Sequence, residues 1–347
     1  MVHAVAVTAP ATISVVSDRP MPILRDDCIL VKTVSVGLNP TDWKAVLRSQ
    51  PTVTVGCDYS GIVEAIGPGV KKAFRVGDRI CGTIHGSNPT HPEDGAFTEY
   101  ALALGDLQIA IPERLSFQEA ATLGVGLSTI GQSLYQSLQL APIDHPLTQP
   151  EPILIYGGSS ATGTIAIQFA KLSGYEVITT CSPDHEELVK SRGADRVFDY
   201  KEPGAAEKIR EYTENRLMLV MDTISTEETA AFCGRAMSTQ GGDYTAILDV
   251  KVPREDVRSR WTLAYTCAGK AFTYRDTTIP AISEDRAFAE EWMEKAAKVV
   301  ADGRVVPHPV RQGLNGLHGV IEGLHAMREG KVRGCKLIYN VDETVGI

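Results

Sequence analysis

One stretch constrains this chain more than any other: PILIYGGSSATGTIAIQFAKLSGYEVITTCS, beginning at Pro152. A short apolar run meets a turn of small residues, an amphipathic helical pattern follows, and a second apolar run closes the unit. A strand, helix and second strand in that order require parallel pairing, with the helix packed on a face of the sheet. The turn residues Gly157, Gly158, Ser159, Ser160, Ala161, Thr162 and Gly163 are small enough for backbone to approach a pyrophosphate, whose charge would lie against the helix N-terminus. The G-x-G-x-x-G pattern is incomplete, because Ser160-Ala161 replace its usual central glycine.

From this stretch onward strands and helices alternate. EVITTC, DRVFDY, LMLVMD and DYTAILD read as buried parallel strands, separated by the helical stretches TIAIQFAKL, DHEELVKSR, AAEKIREYT and STEETAAFCGRAM. The expectation is a doubly wound α/β sheet, ending after the irregular segment KVPREDVRSRWTLAYTCAGKAF and a helix within AFAEEWMEKAAKVVADG. The first part of the chain differs: CILVKTVSVGL, YSGIVEAIGPGV, VGDRICGTI and FTEYALAL are short strands broken by Gly and Pro, the pattern of a partly closed β domain. After Pro112 helical spacing begins, with Ser116 as N-cap and Glu119 completing a capping box, and the Pro-rich connector LAPIDHPLTQPEP leads to the sheet. The tail from about Val305 returns to a strand-like pattern. Two domains are expected for 347 residues, with 1–120 and 305–347 forming the β domain and 121–304 the nucleotide-binding domain.

Composition narrows the function classes. A net charge of −9 without a Lys/Arg cluster argues against nucleic-acid binding. No apolar run approaches the roughly 20 residues of a membrane helix, and MVHAVAVTAP lacks a charged region before an apolar stretch, so a cytoplasmic location is expected. The seven cysteines are scattered, which spells neither a disulfide framework nor a Cys-rich zinc lobe.

Cofactor choice is read at the tip of the second strand, where an acidic residue would hold the ribose 2′-hydroxyl of NAD. Here the tip is Cys181-Ser182-Pro183, and Ser182 with nearby His185, Lys190 and Lys201 suits a 2′-phosphate, favouring NADPH. Asp184 is the counterweight, unless it caps the following helix. Asp222 closes a central strand and either borders the cofactor or forms a turn; Leu248 lies beyond another strand end and completes the expected cofactor contacts.

The chain resembles the medium-chain dehydrogenase/reductase superfamily, zinc-free branch, over nearly its whole length. Within it the chain is most similar to the trans-acting enoyl reductases of fungal polyketide synthases. NPTDWK, GCDYSG, GLSTIG, YGGSSATGT, TTCSP, KSRGAD followed by VFDY, and WTLAYTCAGKAF carry that resemblance. It implies a GroES-like partly closed β-barrel domain beside a Rossmann doubly wound parallel sheet domain, with Gly163 and its neighbours at the pyrophosphate and Ser182 and Tyr200 near the adenosine phosphate. It also implies a partner, the acyl carrier domain of a polyketide synthase whose own enoyl reductase domain is inactive, and a monomeric enzyme.

Zinc-dependent members of the superfamily carry a catalytic Cys where this chain has Asn39, and Gly-His-Glu where it has Gly56-Cys57-Asp58. Only Cys57 and Asp58 remain as donors, so no metal is expected, and His85 and His91 read as loop residues. Without a metal, hydride addition to an enoyl thioester needs another group to stabilise the enolate oxygen. Lys44, after the NPTD turn, and Thr129, in GLSTIG, are the candidates, and the resemblance places both in the active site. Asn39 is a candidate contact to the nicotinamide ribose. Two other readings stay open at this point: a stand-alone quinone or enone reductase on small substrates, and a non-catalytic NADPH-binding module.

Overall fold

The computed structural model describes residues 1–275 and 277–344, and these form two compact units. One contains Met1–Ser128 with the chain from Tyr265 onward, and the other is Thr129–Ala264.

In the second unit, six parallel strands form one sheet. In spatial order they are Arg196–Asp199, Glu176–Cys181, Pro152–Tyr156, Leu219–Asp222, Gly242–Ala246 and Val257–Trp261. Chain order therefore reverses between Pro152–Tyr156 and Leu219–Asp222, the switch point at which open α/β sheets leave a crevice beyond their carboxyl ends. The central strands are apolar on both faces because helices cover both, and the helices Ala161–Leu172, Glu186–Ser191, Ala205–Tyr212 and Glu227–Ala236 alternate with the strands in sequence. The sixth strand, VRSRW, falls inside the segment read as irregular. It is an edge strand whose Arg258 and Arg260 both pair with Asp243 on the neighbouring strand, so its charges hid a strand that was present.

The first unit is built on the strand Cys28–Gly37. It pairs antiparallel with Asp58–Ile66 and Tyr100–Leu104, and its far end pairs with Lys336–Asn340 from the C-terminal return. Val5, Val31, Tyr59, Ile80 and Phe97 are among the side chains of its core. Ser116 caps the Phe117–Ala120 helix, accepting from the amide of Glu119, whose carboxylate accepts in return from the amide of Ser116.

Residues 265–304, expected in the nucleotide-binding domain, lie in the first unit, and the physical reason is the long helix Ser283–Ala301. Its buried Trp292 donates Nε1–H to the Leu127 carbonyl at 2.8 Å, its Arg286 pairs with Asp106, and its Glu290 pairs with Lys71. Changing Trp292→Phe should leave the Leu127 carbonyl short of a donor and destabilise the protein by about 1–3 kcal/mol. A urea denaturation curve measures this; an unchanged midpoint would remove the helix as an anchor of the unit.

Candidate active site

The nucleotide end of the site is built by the turn between Pro152–Tyr156 and the helix Ala161–Leu172. Gly157 takes φ +78°, a conformation that side-chain-bearing residues rarely adopt. A Cβ on Gly158 would lie 2.0 Å from Thr179 Oγ1, so the strand pairing depends on its absence. Ser160 explains why the central glycine is dispensable. Its backbone is extended, and its hydroxyl caps the helix by accepting from the Gly163 amide at 2.9 Å. That hydroxyl also lies 3.0 Å from Thr223 Oγ1, which in turn donates to the Tyr156 carbonyl at 2.8 Å and so ties the turn across the switch point. The amides of Ser159, Ala161 and Thr162 have no partner among the described residues, leaving donors at a helix N-terminus for a phosphate. A dinucleotide fits this corner.

The adenosine end is assembled by strand pairing. Asp199 is in register with Cys181, which brings Ser182 and Tyr200, the next residues on each strand, to the same carboxyl edge. The Lys201 ammonium lies 5.8 Å from the Tyr200 ring centroid, and His185 begins the Glu186–Ser191 helix. Asp184 does not cap that helix: it lies in the short turn Pro183–His185. Leu248 follows the strand Gly242–Ala246, at the same edge of the sheet. Asp222 is placed differently from the cofactor contact expected. Its carboxylate accepts from the amides of Ile224 and Ser225 and from the hydroxyls of Thr229 and Tyr244, so four protein donors engage it and it holds a turn.

In the first unit Lys44 lies on the helix Pro40–Val46, with Pro40 at its first position. Its half-buried ammonium has no acidic partner among the described residues, and burial, with Arg275 and Arg48 nearby, pushes its pKa down. A half-buried cation with no acidic partner among the described residues is suited to an oxygen that becomes negative during reaction. Thr129, 7% exposed, lies on the helix Gly124–Ile130, which runs on into the π-helical segment Gly131–Ser137, an irregularity often found at functional sites.

Around Asn39 and Asp58 this chain builds something that the sequence reading missed. Lys336, only 2% exposed, sends its ammonium to Asp58 and to Asn39 Oδ1, the latter at 2.9 Å. Asn39 donates through Nδ2 to Asp58 at 2.9 Å, so both ends of its amide are engaged within the protein rather than free for a ribose. An ammonium among these donors repels a metal cation, and among the described residues no group of three or more His, Cys, Asp and Glu is arranged to hold one. His85 stacks on Tyr265 at 3.7 Å, and burial pushes its pKa down to about 3.

Asp42 accepts from the Asn39 amide at 2.7 Å, while its Oδ1 finds no partner among the described residues. Burial raises its pKa to about 7, against the pull of the Asn39 amide and the Cys57 thiol. The folded protein thus holds this proton more tightly than the unfolded chain, where the value is about 4. The stability that protonation contributes is full below about pH 4 and is lost as pH rises through about 7. Asp42→Asn should flatten that part of the profile, so the gap in melting temperature between variant and wild type should change across the window. A constant gap would show that Asp42 does not titrate there.

Two family patterns match the chain. The alcohol dehydrogenase GroES-like domain covers residues 25–113, and the zinc-binding dehydrogenase pattern covers residues 161–244. This dehydrogenase ancestry implies a nicotinamide cofactor. Among solved structures, a putative zinc-dependent alcohol dehydrogenase from Rhizobium etli CFN 42 superposes with a TM-score of 0.80 at 26% identity, over 100% of this chain and 99% of that one. The CurK enoyl reductase, at 18% identity and TM-score 0.76 over 98% of this chain and 99% of that one, shares the fold. Among curated relatives, the trans-enoyl reductase TOXD of Cochliobolus carbonum is 60% identical over 78% of this chain and 91% of its own length. The trans-enoyl reductase resD of Aspergillus sclerotiorum is 44% identical over 98% of this chain and 100% of its own. The chain therefore belongs to the trans-enoyl reductase family.

Proposed function

We propose that this protein is an NADPH-dependent enoyl reductase acting in trans. Its substrate is an α,β-unsaturated polyketide acyl thioester, carried by the acyl carrier domain of a synthase whose own enoyl reductase domain is inactive. The observation that carries this reading is the nearly full-length likeness to enzymes of that name, and the half-buried Lys44 ammonium, with no acidic partner among the described residues, gives it a chemical basis.

NADPH, when bound, supplies hydride to the β-carbon of the acyl chain. The protein's tasks are then to hold the acceptor close and to stabilise the charge that moves onto the thioester oxygen. Lys44 is assigned the oxygen, and Thr129 the thioester carbonyl or a water that returns a proton to the α-carbon. Gly157 through Gly163 take the pyrophosphate, and Ser182, His185, Tyr200 and Lys201 the 2′-phosphate, because Ser182 directly follows the second strand where a carboxylate would hold a ribose hydroxyl, while Asp184 stands two residues further on in the turn Pro183–His185. A monomer is supported by the sheet edge at Val257–Trp261, where exposed Arg258 and its neighbour Arg260 discourage pairing with a second copy.

NADPH absorbance should fall when the purified protein meets a crotonyl-type thioester on a pantetheine arm, and should not respond to a simple quinone; oxidation by the quinone alone would overturn this reading. Lys44→Ala should lower kcat by about 10²–10³-fold, the usual cost of one donor to a developing oxyanion, with NADPH binding kept. Ser182→Asp should move the ratio of kcat/KM for NADPH over NADH toward NADH by at least about tenfold, since a carboxylate repels the 2′-phosphate. An unmoved ratio would place the phosphate elsewhere.

A further inference from the structure

Asp58 is fully buried and each of its oxygens has separate work. Oδ2 takes the Lys336 ammonium and the Asn39 side-chain amide, while Oδ1 accepts from the Val125 backbone amide at 2.6 Å. Asn39 is the N-cap of the helix Pro40–Val46, which carries Lys44, and Val125 lies in the first turn of the helix Gly124–Ile130, which carries Thr129. One carboxylate is thus tied to the starts of both helices that bear the candidate catalytic side chains. The approach is close enough that a Cβ on Gly124 would lie 2.5 Å from Asp58 Oδ1 and 2.1 Å from the Gly82 carbonyl.

The cation that makes this carboxylate tolerable arrives from 278 residues away, on the strand Lys336–Asn340. That strand is held by its pairing with Cys28–Gly37 and by the Lys336 amide donating to the Pro309 carbonyl at 2.8 Å. A buried ion pair is a weak source of net stability, because an apolar pair of similar volume often does as well. Its distinctive property is directional. The ammonium donates to Asp58 and Asn39 together, and so fixes the orientation of the Asn39 amide that meets Asp58.

We propose that Lys336 is a positioning residue of this enzyme: through Asp58 and Asn39 its ammonium sets the placement of the two helix starts that present Lys44 and Thr129. The inference rests on the enoyl reductase reading for its effect on turnover, and on geometry alone for its effect on Lys44. Lys336 and Asp58 are both buried and are assigned no contact with substrate.

The test uses the full chain in two variants. Lys336→Met with Asp58→Asn removes both charges at once, and Asn39→Ala cuts the link to the first helix while leaving the ion pair, so it covers the case in which the double variant fails to fold. Two readouts are taken: kcat and KM with an enoyl pantetheine thioester, and the pH midpoint for acetylation of Lys44 by acetic anhydride, followed by peptide mass spectrometry with exposed Lys71 as internal control. The expected result is a fall in kcat of about tenfold or more with the KM for NADPH unchanged, and a Lys44 midpoint displaced while that of Lys71 stays put. Variants that melt earlier yet keep wild-type kcat and the wild-type Lys44 midpoint would overturn the proposal and leave Lys336 a structural residue. Should the wild-type protein reduce no enoyl thioester, the functional reading fails, and the labelling midpoint still decides the positioning role.

Discussion

The buried contact between Lys336 and Asp58 organises the first unit. An ionised carboxylate in an apolar interior is costly, and so is an ammonium. The two are tolerated because each supplies the other's charge and because further bonds are made within the fold: Asp58 to Asn39 and Val125, Lys336 to Asn39. Three distant pieces of chain, around residues 39, 58 and 336, must therefore meet for any of them to be stable there. The sheet order follows the same demand, since Cys28–Gly37 lies between the strand that begins with Asp58 and the strand that begins with Lys336.

The second unit solves a different problem with neutral groups. Where a nucleotide-binding turn commonly spends a glycine, this chain spends a hydroxyl. Ser160 caps its helix and reaches Thr223 across the switch point, so the turn is pinned to both central strands by hydrogen bonds between small side chains. Asp222, at the end of the adjacent strand, is given to its own turn and to the hydroxyls of Thr229 and Tyr244. The result is a turn whose unpartnered donors, among the described residues, belong to the backbone, the kind of donor that suits a phosphate without regard to what the phosphate is attached to.

The parts legible in the sequence were those governed by local rules. Apolar runs and helical periodicity located four of the parallel strands after the first, and the capping box at Ser116 and the turn at Gly157–Gly163 appear where their patterns stand. The edge strand VRSRW was hidden because an edge position tolerates alternating charge, and the helix Ser283–Ala301 was placed in the wrong half because its partners, Leu127 and Asp106, are far from it in sequence. Lys336 was missed for the same reason. A lysine in GCKLIYNV reads as a solvated charge until Asp58 is known to lie opposite, and the one available signal was its position at the head of an otherwise buried strand. Asn39 was noticed for its place in the chain, but its role is set by partners that no local pattern reveals.

The long separation between Asp58 and Lys336 also bears on how the protein comes into being. As the chain leaves the ribosome, Asp58 emerges with its neighbouring strands, while its counter-charge is still 278 residues from being made. The continuous segment Thr129–Ala264 can acquire its native pairings in that interval, whereas the β unit, split in sequence, must wait for the last strand. Biosynthesis thus favours an order in which the parallel sheet is laid down before the helices Pro40–Val46 and Gly124–Ile130 receive their anchor, and a nascent chain released early would carry an intact parallel sheet beside an unfinished β unit.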